Sequence, residues 1–339
     1  DGYGNPSGGH ALARRARAEL DDARERIAAV AGCRPGELVF TSGGTEADDL
    51  AVRGTVATGD GVAVCSAVEH PAVLQPVERA GGRVVAVDAR GRIDLDRLAD
   101  ALDPAVALVS VILVNNEVGT VQSLAEVAGV VRASAPQALL HTDASQALSW
   151  LDLRTWAAEA DLITLASHKC GGPKGIGALV VREPARITAQ VVGGGQERGR
   201  RAGTPNVAAA VGFAVGAERA AAERDELCRR AARGRAGLGA AVRSAAPGAV
   251  DTAAPDVASP GGSGPQDARL DHLVPGIVHL CVPEVDSESV LFLLEQDHRV
   301  LAAAGSSCSS GAATVGAVPL ALGLDPALAR GAVRLSFGW

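Results

Sequence analysis

Seven short runs of β-branched and aliphatic residues recur through the first 215 or so positions, each separated from the next by an amphipathic stretch rich in alanine and arginine. They lie near residues 37–41, 62–66, 83–88, 107–114, 139–142, 162–166 and 177–181. Short apolar runs alternating with stretches of helical period are the signature of βαβ units, and they predict an α/β fold with a mostly parallel seven-stranded sheet covered by helices. Polar residues gather directly behind the runs: Ser42-Gly43-Gly44-Thr45-Glu46, Val68-Glu69-His70, Asn115-Asn116-Glu117, Asp143-Ala144-Ser145-Gln146 and Ser167-His168-Lys169. In an open α/β sheet, ligands bind in the crevice outside the carboxyl ends of the strands. Clusters far apart in sequence are therefore expected to meet at one edge.

The length, 339 residues, suggests about two domains. We divide the chain into a large domain, 1–215, and a linking helix with a smaller α+β C-terminal domain, 216–339. The helix runs from about Val207 to Ala246. Residues 247–271, rich in Pro, Gly, Ser and Asp, read as an exposed loop, residues 276–282 as a strand and 287–296 as a helix. Hydrophobic residues make up 47% of the chain, yet no apolar run reaches the roughly 20 residues of a membrane span. With a net charge of −7 and arginines scattered along helical stretches, no basic stripe points to nucleic acid. The six cysteines lack the close pairing of zinc sites or disulfide frameworks, and no signal-peptide pattern opens the chain. A cytoplasmic protein with reduced thiols is the expectation.

Only two lysines occur, Lys169 and Lys174, against 30 arginines. A primary amine can lose its proton and attack a carbonyl, which a guanidinium cannot do, so Lys169 is the candidate Schiff-base residue. The turn Ser42 to Glu46, between a strand and a helical stretch, reads either as a phosphate cup or as an ordinary turn with Thr45 as N-cap. Asp143 is placed to hold a protonated ring nitrogen, or else to cap a helix, and Gln146 to hydrogen-bond a ring substituent. An amine, a carboxylate and a phosphate cup are the three parts that pyridoxal 5'-phosphate requires. His70 is placed over such a ring, where it exchanges protons near neutral pH, or is a structural hydrogen-bonder. Asn116 shares the edge. Arg334 is a candidate clamp for a substrate carboxylate, its alternative being a surface charge. Cys308, inside Gly305-Ser306-Ser307-Cys308-Ser309-Ser310-Gly311, is a thiol on a small, polar, accessible loop, the setting of reactive cysteines. Cys33, Cys65 and Cys281 lie in or beside apolar runs, and Cys170 is expected to point away from the ring.

Taken together these segments resemble the NifS/IscS-type cysteine desulfurases, class V aminotransferases of the pyridoxal-phosphate enzymes. The resemblance is carried by Gly4-Asn5-Pro6-Ser7, Phe40 to Glu46, Glu69-His70, Val114 to Glu117, His141 to Gln146, His168-Lys169 and Gly171 to Gly175. It continues with Gly193 to Arg198, Arg201 to Val207 and the Cys308 loop. It implies the fold-type-I transferase architecture, with Lys169 carrying the cofactor, Asp143 on the pyridine nitrogen, Gln146 on the ring hydroxyl and His70 stacked on the ring. It also implies phosphate contacts from Gly44, Thr45 and His168, with Thr204 reaching the phosphate of a partner subunit in a homodimer. Asn116 and Arg334 would hold the substrate carboxylate. The implied activity, of the EC 2.8.1.7 type, converts L-cysteine to L-alanine. His70 helps to deprotonate the thiol, and Cys308 takes the sulfur as a persulfide for a sulfur-acceptor protein in iron-sulfur cluster, thio-cofactor or tRNA biosynthesis. The sequence also leaves room for a selenocysteine lyase, aminotransferase or epimerase of the same class, or a catalytically idle homologue that binds sulfur carriers. It departs from the family at Ala166-Ser167, where a hydroxyl two residues before the histidine is usual, and at Thr314 to Val318, which lacks the usual Pro-Ser-His-Val-Leu.

Overall fold

The computed structural model describes residues 3–59, 61–253, 272–305 and 315–338. It divides into two compact units. The first comprises Asp1–Val85, Leu95–Leu113 and Ser123–Arg224. Its strands are β1 (Leu38–Thr41), β2 (Val62–Ser66), β3 (Arg83–Val85), β4 (Val106–Ser110), β5 (Leu139–Asp143), β6 (Leu162–Ala166) and β7 (Gly177–Val181). They form one sheet in the order β1-β7-β6-β5-β4-β2-β3. Every neighbouring pair from β3 to β6 is parallel, and β7 alone runs against both of its neighbours. The expected α/β fold with a mostly parallel seven-stranded sheet is the one observed.

Most of the runs have the largely apolar character of strands buried on both faces, and β6 and β7 are buried at every position. Around the sheet lie α1 (Ala11–Ala31), α2 (Gly44–Val56), α3 (Pro71–Arg79), α4 (Leu95–Ala101), α5 (Leu124–Ser134) and the single turn α6 (Leu153–Trp156). Leu50 and Ala51 of α2 and Val73 of α3 pack with Val39, Cys65, Leu108, Leu162 and Leu179 from the strands. That core fixes the strand ends, and so the polar edge. β4 stops at Ser110, short of the expected Val114, where its pairing with β2 ends; beyond it the Val111 and Leu113 amides still donate to the carbonyls of His141 and Asp143, both at 3.0 Å.

The second unit comprises Ala86–Asp94, Val114–Gln122 and Asp225–Trp339. The change of unit along the chain falls inside α7 (Val207–Ala245). Here β8 (Val250–Asp251), β9 (Ile277–Cys281) and β10 (Ala332–Ser336) make an antiparallel sheet in the order β10-β9-β8. β8 corrects the reading of residues 247–271 as loop throughout. Asp251 is pinned by Arg235, whose guanidinium donates to Asp251 Oδ2 at 2.6 Å and to the Ile277 carbonyl at 2.7 Å. Residues 254–271 lie outside the described chain. Helices α8 (Ser287–His298), α9 (Ala317–Ala321) and α10 (Pro326–Ala329) complete this unit. Among the described residues no helix is long and apolar enough to cross a membrane, and no group of His, Cys, Asp and Glu is arranged to hold a metal.

Candidate active site

Helix α2 starts at Gly44, with Gly43 at the N-cap and no side chain closing the end. Thr45 is thus a first-turn residue and not the cap. A helix of 13 residues opened this way presents free amides and the positive end of its dipole, which favour an anion. The cup sits against the strand ends because glycine allows it. A Cβ on Gly44 would meet Ser145 Oγ at 2.9 Å and Ala166 Cβ at 3.3 Å, and one on Gly177 would meet the Gly43 carbonyl carbon at 2.6 Å. Glu46, beside this cup, is neutralised locally. Its Oε1 accepts from Arg201 Nε at 2.7 Å and its Oε2 from the Ser42 amide at 2.7 Å. Burial pushes this carboxyl up, but those hydrogen bonds prevail and hold it below its ordinary value.

Asp143 ends β5, buried at 5% exposure, and its Oδ1 accepts from the Ser145 amide at 2.8 Å. No helix starts there, so the capping alternative is not realised. Gln146 follows, half-buried. Beyond β6, a single 3-10 turn, Ser167–Lys169, carries His168 and Lys169 out to exposed positions. His70 caps α3, its Nδ1 accepting from the Ala72 amide at 3.1 Å. With Nδ1 committed as acceptor, the neutral ring keeps its proton on Nε2. Burial pushes the His70 pKa down; Asp143 pulls it up and Lys169 pushes it down further, with a net lowering. The carboxylate and the amine are therefore each within electrostatic reach of the imidazole. Burial and the two lysines likewise lower His168.

The neighbouring cysteine is inert. Cys170 is buried with Sγ 3.2 Å from the Ser167 carbonyl, and burial pushes its thiol to about 11. Burial likewise raises Cys33 to about 12 and moves Cys65 and Cys281 upward. Cys308 lies outside the described residues.

Thr204 is exposed at the end of a strap, residues 193–204, tied down by a buried ion pair. Arg24 donates to both carboxylate oxygens of Glu197 at 2.8 and 2.7 Å, and Glu197 Oε2 also accepts from the Phe40 amide at 3.0 Å. Thr204 lines a cavity with Tyr3, Asn5 and Arg15. Within the second unit, Asn116 and Arg334 are brought together: Arg334 Nη1 donates to the Asn116 carbonyl at 3.1 Å. Arg334 also exchanges backbone hydrogen bonds with Ala303, at 2.6 and 3.1 Å, anchoring the chain just before the Cys308 segment. Sequence reasoning gave no role to Asp48, Ser110, His141 or Thr164, all buried, with Asp48 in electrostatic reach of Asp143 and Thr164 paired with it across the strands. Ser110, His141 and Thr164 are signalled only by the polar character of otherwise apolar strands, and Asp48 only as an acid among the buried residues of α2.

Residues 1–231 match the family described as aminotransferase class-V. A cysteine desulfurase of Gluconacetobacter diazotrophicus is 36% identical over 99% of this chain and 82% of its own length. An IscS-like cysteine desulfurase of Mycobacterium tuberculosis is 37% identical over 99% and 84%. Among solved structures, a NifS-like protein superposes with a TM-score of 0.86 at 29% identity, covering 99% of this chain and 86% of that one. DndA from Streptomyces lividans gives 0.78 at 32% identity, covering 98% and 92%.

Proposed function

We propose, for a chain that belongs to the class-V aminotransferase family and acts as a cysteine desulfurase, that pyridoxal 5'-phosphate is held at this edge with Lys169 as its covalent anchor. The observation that supports the reading is that the Asp143 carboxylate and the Lys169 amine both act on the His70 ring at the carboxyl ends of the strands, in the unit that also holds an uncapped helix N-terminus. The donor set fits the group. The Gly44 and Thr45 amides and His168 suit a phosphate, Asp143 a protonated ring nitrogen, Gln146 a ring hydroxyl, and the Gly44 approach to Ser145 leaves the cup no wider than its backbone requires.

When bound, the group supplies an electron sink for a substrate amino acid. The residues do the rest. Lys169 Nζ takes the proton from Cα. Asp143 keeps the ring nitrogen protonated. His70 exchanges protons at Nε2, the one ring nitrogen not tied by the cap, and starts as a donor, so it receives the thiol proton only after passing on its own. Asn116 and Arg334 form the carboxylate clamp. Cys308 as thiolate attacks the substrate sulfur and is left as a persulfide, with alanine released, and the sulfur passes to an acceptor protein. Thr204 contributes to the phosphate site of the partner subunit in a homodimer. A reducing, cytoplasmic setting suits a mechanism that runs through a thiolate.

Absorbance spectroscopy tests this directly. Lys169→Ala is expected to lose the visible cofactor band, while Cys308→Ala keeps the band and loses sulfide production from L-cysteine. Undiminished desulfuration by Cys308→Ala would remove that thiol from the mechanism, and a chain that stays colourless with added pyridoxal phosphate would overturn the cofactor assignment.

A further inference from the structure

Close to Asp143, the strands and α2 enclose a row of polar side chains that the chemistry above does not use. Glu69 Oε1 accepts from the Ile112 amide at 2.7 Å and the Ser66 hydroxyl at 2.5 Å. Ser110 Oγ lies 2.8 Å from His141 Nδ1. His141 Nε2 lies 3.1 Å from Thr164 Oγ1 and 3.7 Å from Asp48 Oδ1. None of Asp48, Glu69, Ser110, His141 and Thr164 is more than 4% exposed. One oxygen of each acid, Asp48 Oδ1 and Glu69 Oε2, has no hydrogen-bond partner. A carboxylate with a bare oxygen in a dry interior is costly, and the neutral acid far less so. Asp143 differs: neither of its oxygens is left both buried and without a partner, and the His70 ring lies within its electrostatic reach.

We propose that Asp48 and Glu69 are positioning residues that act through Asp143. Each is held as a neutral acid in one buried layer with His141, leaving Asp143 as the single carboxylate offered to a ring nitrogen. A second anion behind Asp143 would draw a proton onto the carboxyl cluster, and the ring nitrogen would lose the full carboxylate that keeps it protonated. The electrostatics agree with the geometry. Burial, reinforced by Asp143, pushes Glu69 up to about 8 despite hydrogen bonds that oppose it. Burial and then Asp143 push Asp48 well above its ordinary value, with Glu69 and Asp49 adding to this and Thr164 opposing. Burial lowers His141 to about 3, so it stays neutral and supplies no cation. Cys65, the other titratable group facing Glu69, is itself pushed up by burial.

This inference rests on Asp143 as the partner of the cofactor nitrogen, so the experiment separates the two. In cofactor-free protein at about pH 6.5, the infrared difference between wild type and Glu69→Gln is expected to show a protonated-carboxyl stretch that disappears by about pH 9.5. Over the same window, urea unfolding should show wild type losing stability relative to Glu69→Gln. The folded chain holds a proton that the unfolded one has lost, so stability falls from about pH 4.5 through about 8. Asp143→Asn should move the loss of the band to lower pH. With pyridoxal phosphate added, Glu69→Ala should weaken its binding about tenfold and Glu69→Gln restore it to within about threefold. The proposal is overturned by the absence of the acid band, by equal pH slopes, by an unmoved midpoint in Asp143→Asn, or by glutamine as poor as alanine. Wild type that binds no pyridoxal phosphate while still showing the band would place the failure in the cofactor reading and not in the layer.

Discussion

Replacing Glu197 by alanine tests whether the strap bearing Thr204 is held by electrostatics or by packing alone. The wild-type carboxylate is 4% exposed and answers a guanidinium 8% exposed, whose carbon also lies 4.6 Å from the centre of the Phe40 ring. Removing one member of such a pair leaves the other charge buried, at about 3–5 kcal/mol. The orphaned Phe40 amide adds about 1 kcal/mol or more, partly the same loss counted twice. About 4 kcal/mol is therefore expected, a fall in melting temperature of roughly 6 °C for a chain of 339 residues. The assay is urea and thermal unfolding followed by tryptophan fluorescence, with Arg24→Met, Glu197→Leu and the double variant measured beside it. Each single change strands a partner, whereas the double removes both charges into an apolar site, so the double should be more stable than either single. Single losses below about 1 kcal/mol, or a double equal to the sum of its parts, would refute the argument.

Gly44→Ala places a methyl 2.9 Å from Ser145 Oγ, and equilibrium titration should show cofactor affinity lowered by about tenfold or more, with Ser145→Ala in the same chain recovering part of it. His70 is lowered below its ordinary 6.5, so the acid limb of kcat/KM should fall below that pH, and His70→Gln should reduce kcat by about a hundredfold. The same shift makes the unfolded chain bind its proton first. The His70 contribution to stability is then complete above about pH 6.5 and lost below it, a slope that His70→Gln should remove. Iodoacetamide at about pH 7.5 should leave Cys65, Cys170 and Cys281 unmodified in the folded protein, and mass spectrometry should find the label on Cys308 with sulfide production abolished. Labelling of Cys170 at a comparable rate would count against its inertness.

Alternation of apolar runs and helical stretches was enough to place the seven strands of the large sheet, because strands buried on both faces are largely apolar and the intervening stretches carry a helical period. Residues at the carboxyl ends of those strands, Asp143, His70 and Lys169, were legible for the same reason: a parallel sheet collects strand ends at one edge. The reversal of β7 was not legible, since nothing in Gly177–Val181 distinguishes a parallel from an antiparallel partner. Nor was β8, where two residues are too few to carry a period and are held by Arg235 from far away in the chain.

What the order of residues determined on its own was the set of chemical groups at the edge, since an amine among arginines and a glycine before a helix are properties of composition and position. What only the tertiary structure decided was the state of those groups. Whether His70 offers a lone pair or an N–H depends on its capping bond to Ala72, and whether Glu69 and Asp48 are charged depends on burial beside Asp143. Protonation is set by the local dielectric and by neighbours that folding brings together from distant segments, and neither exists until the chain has packed.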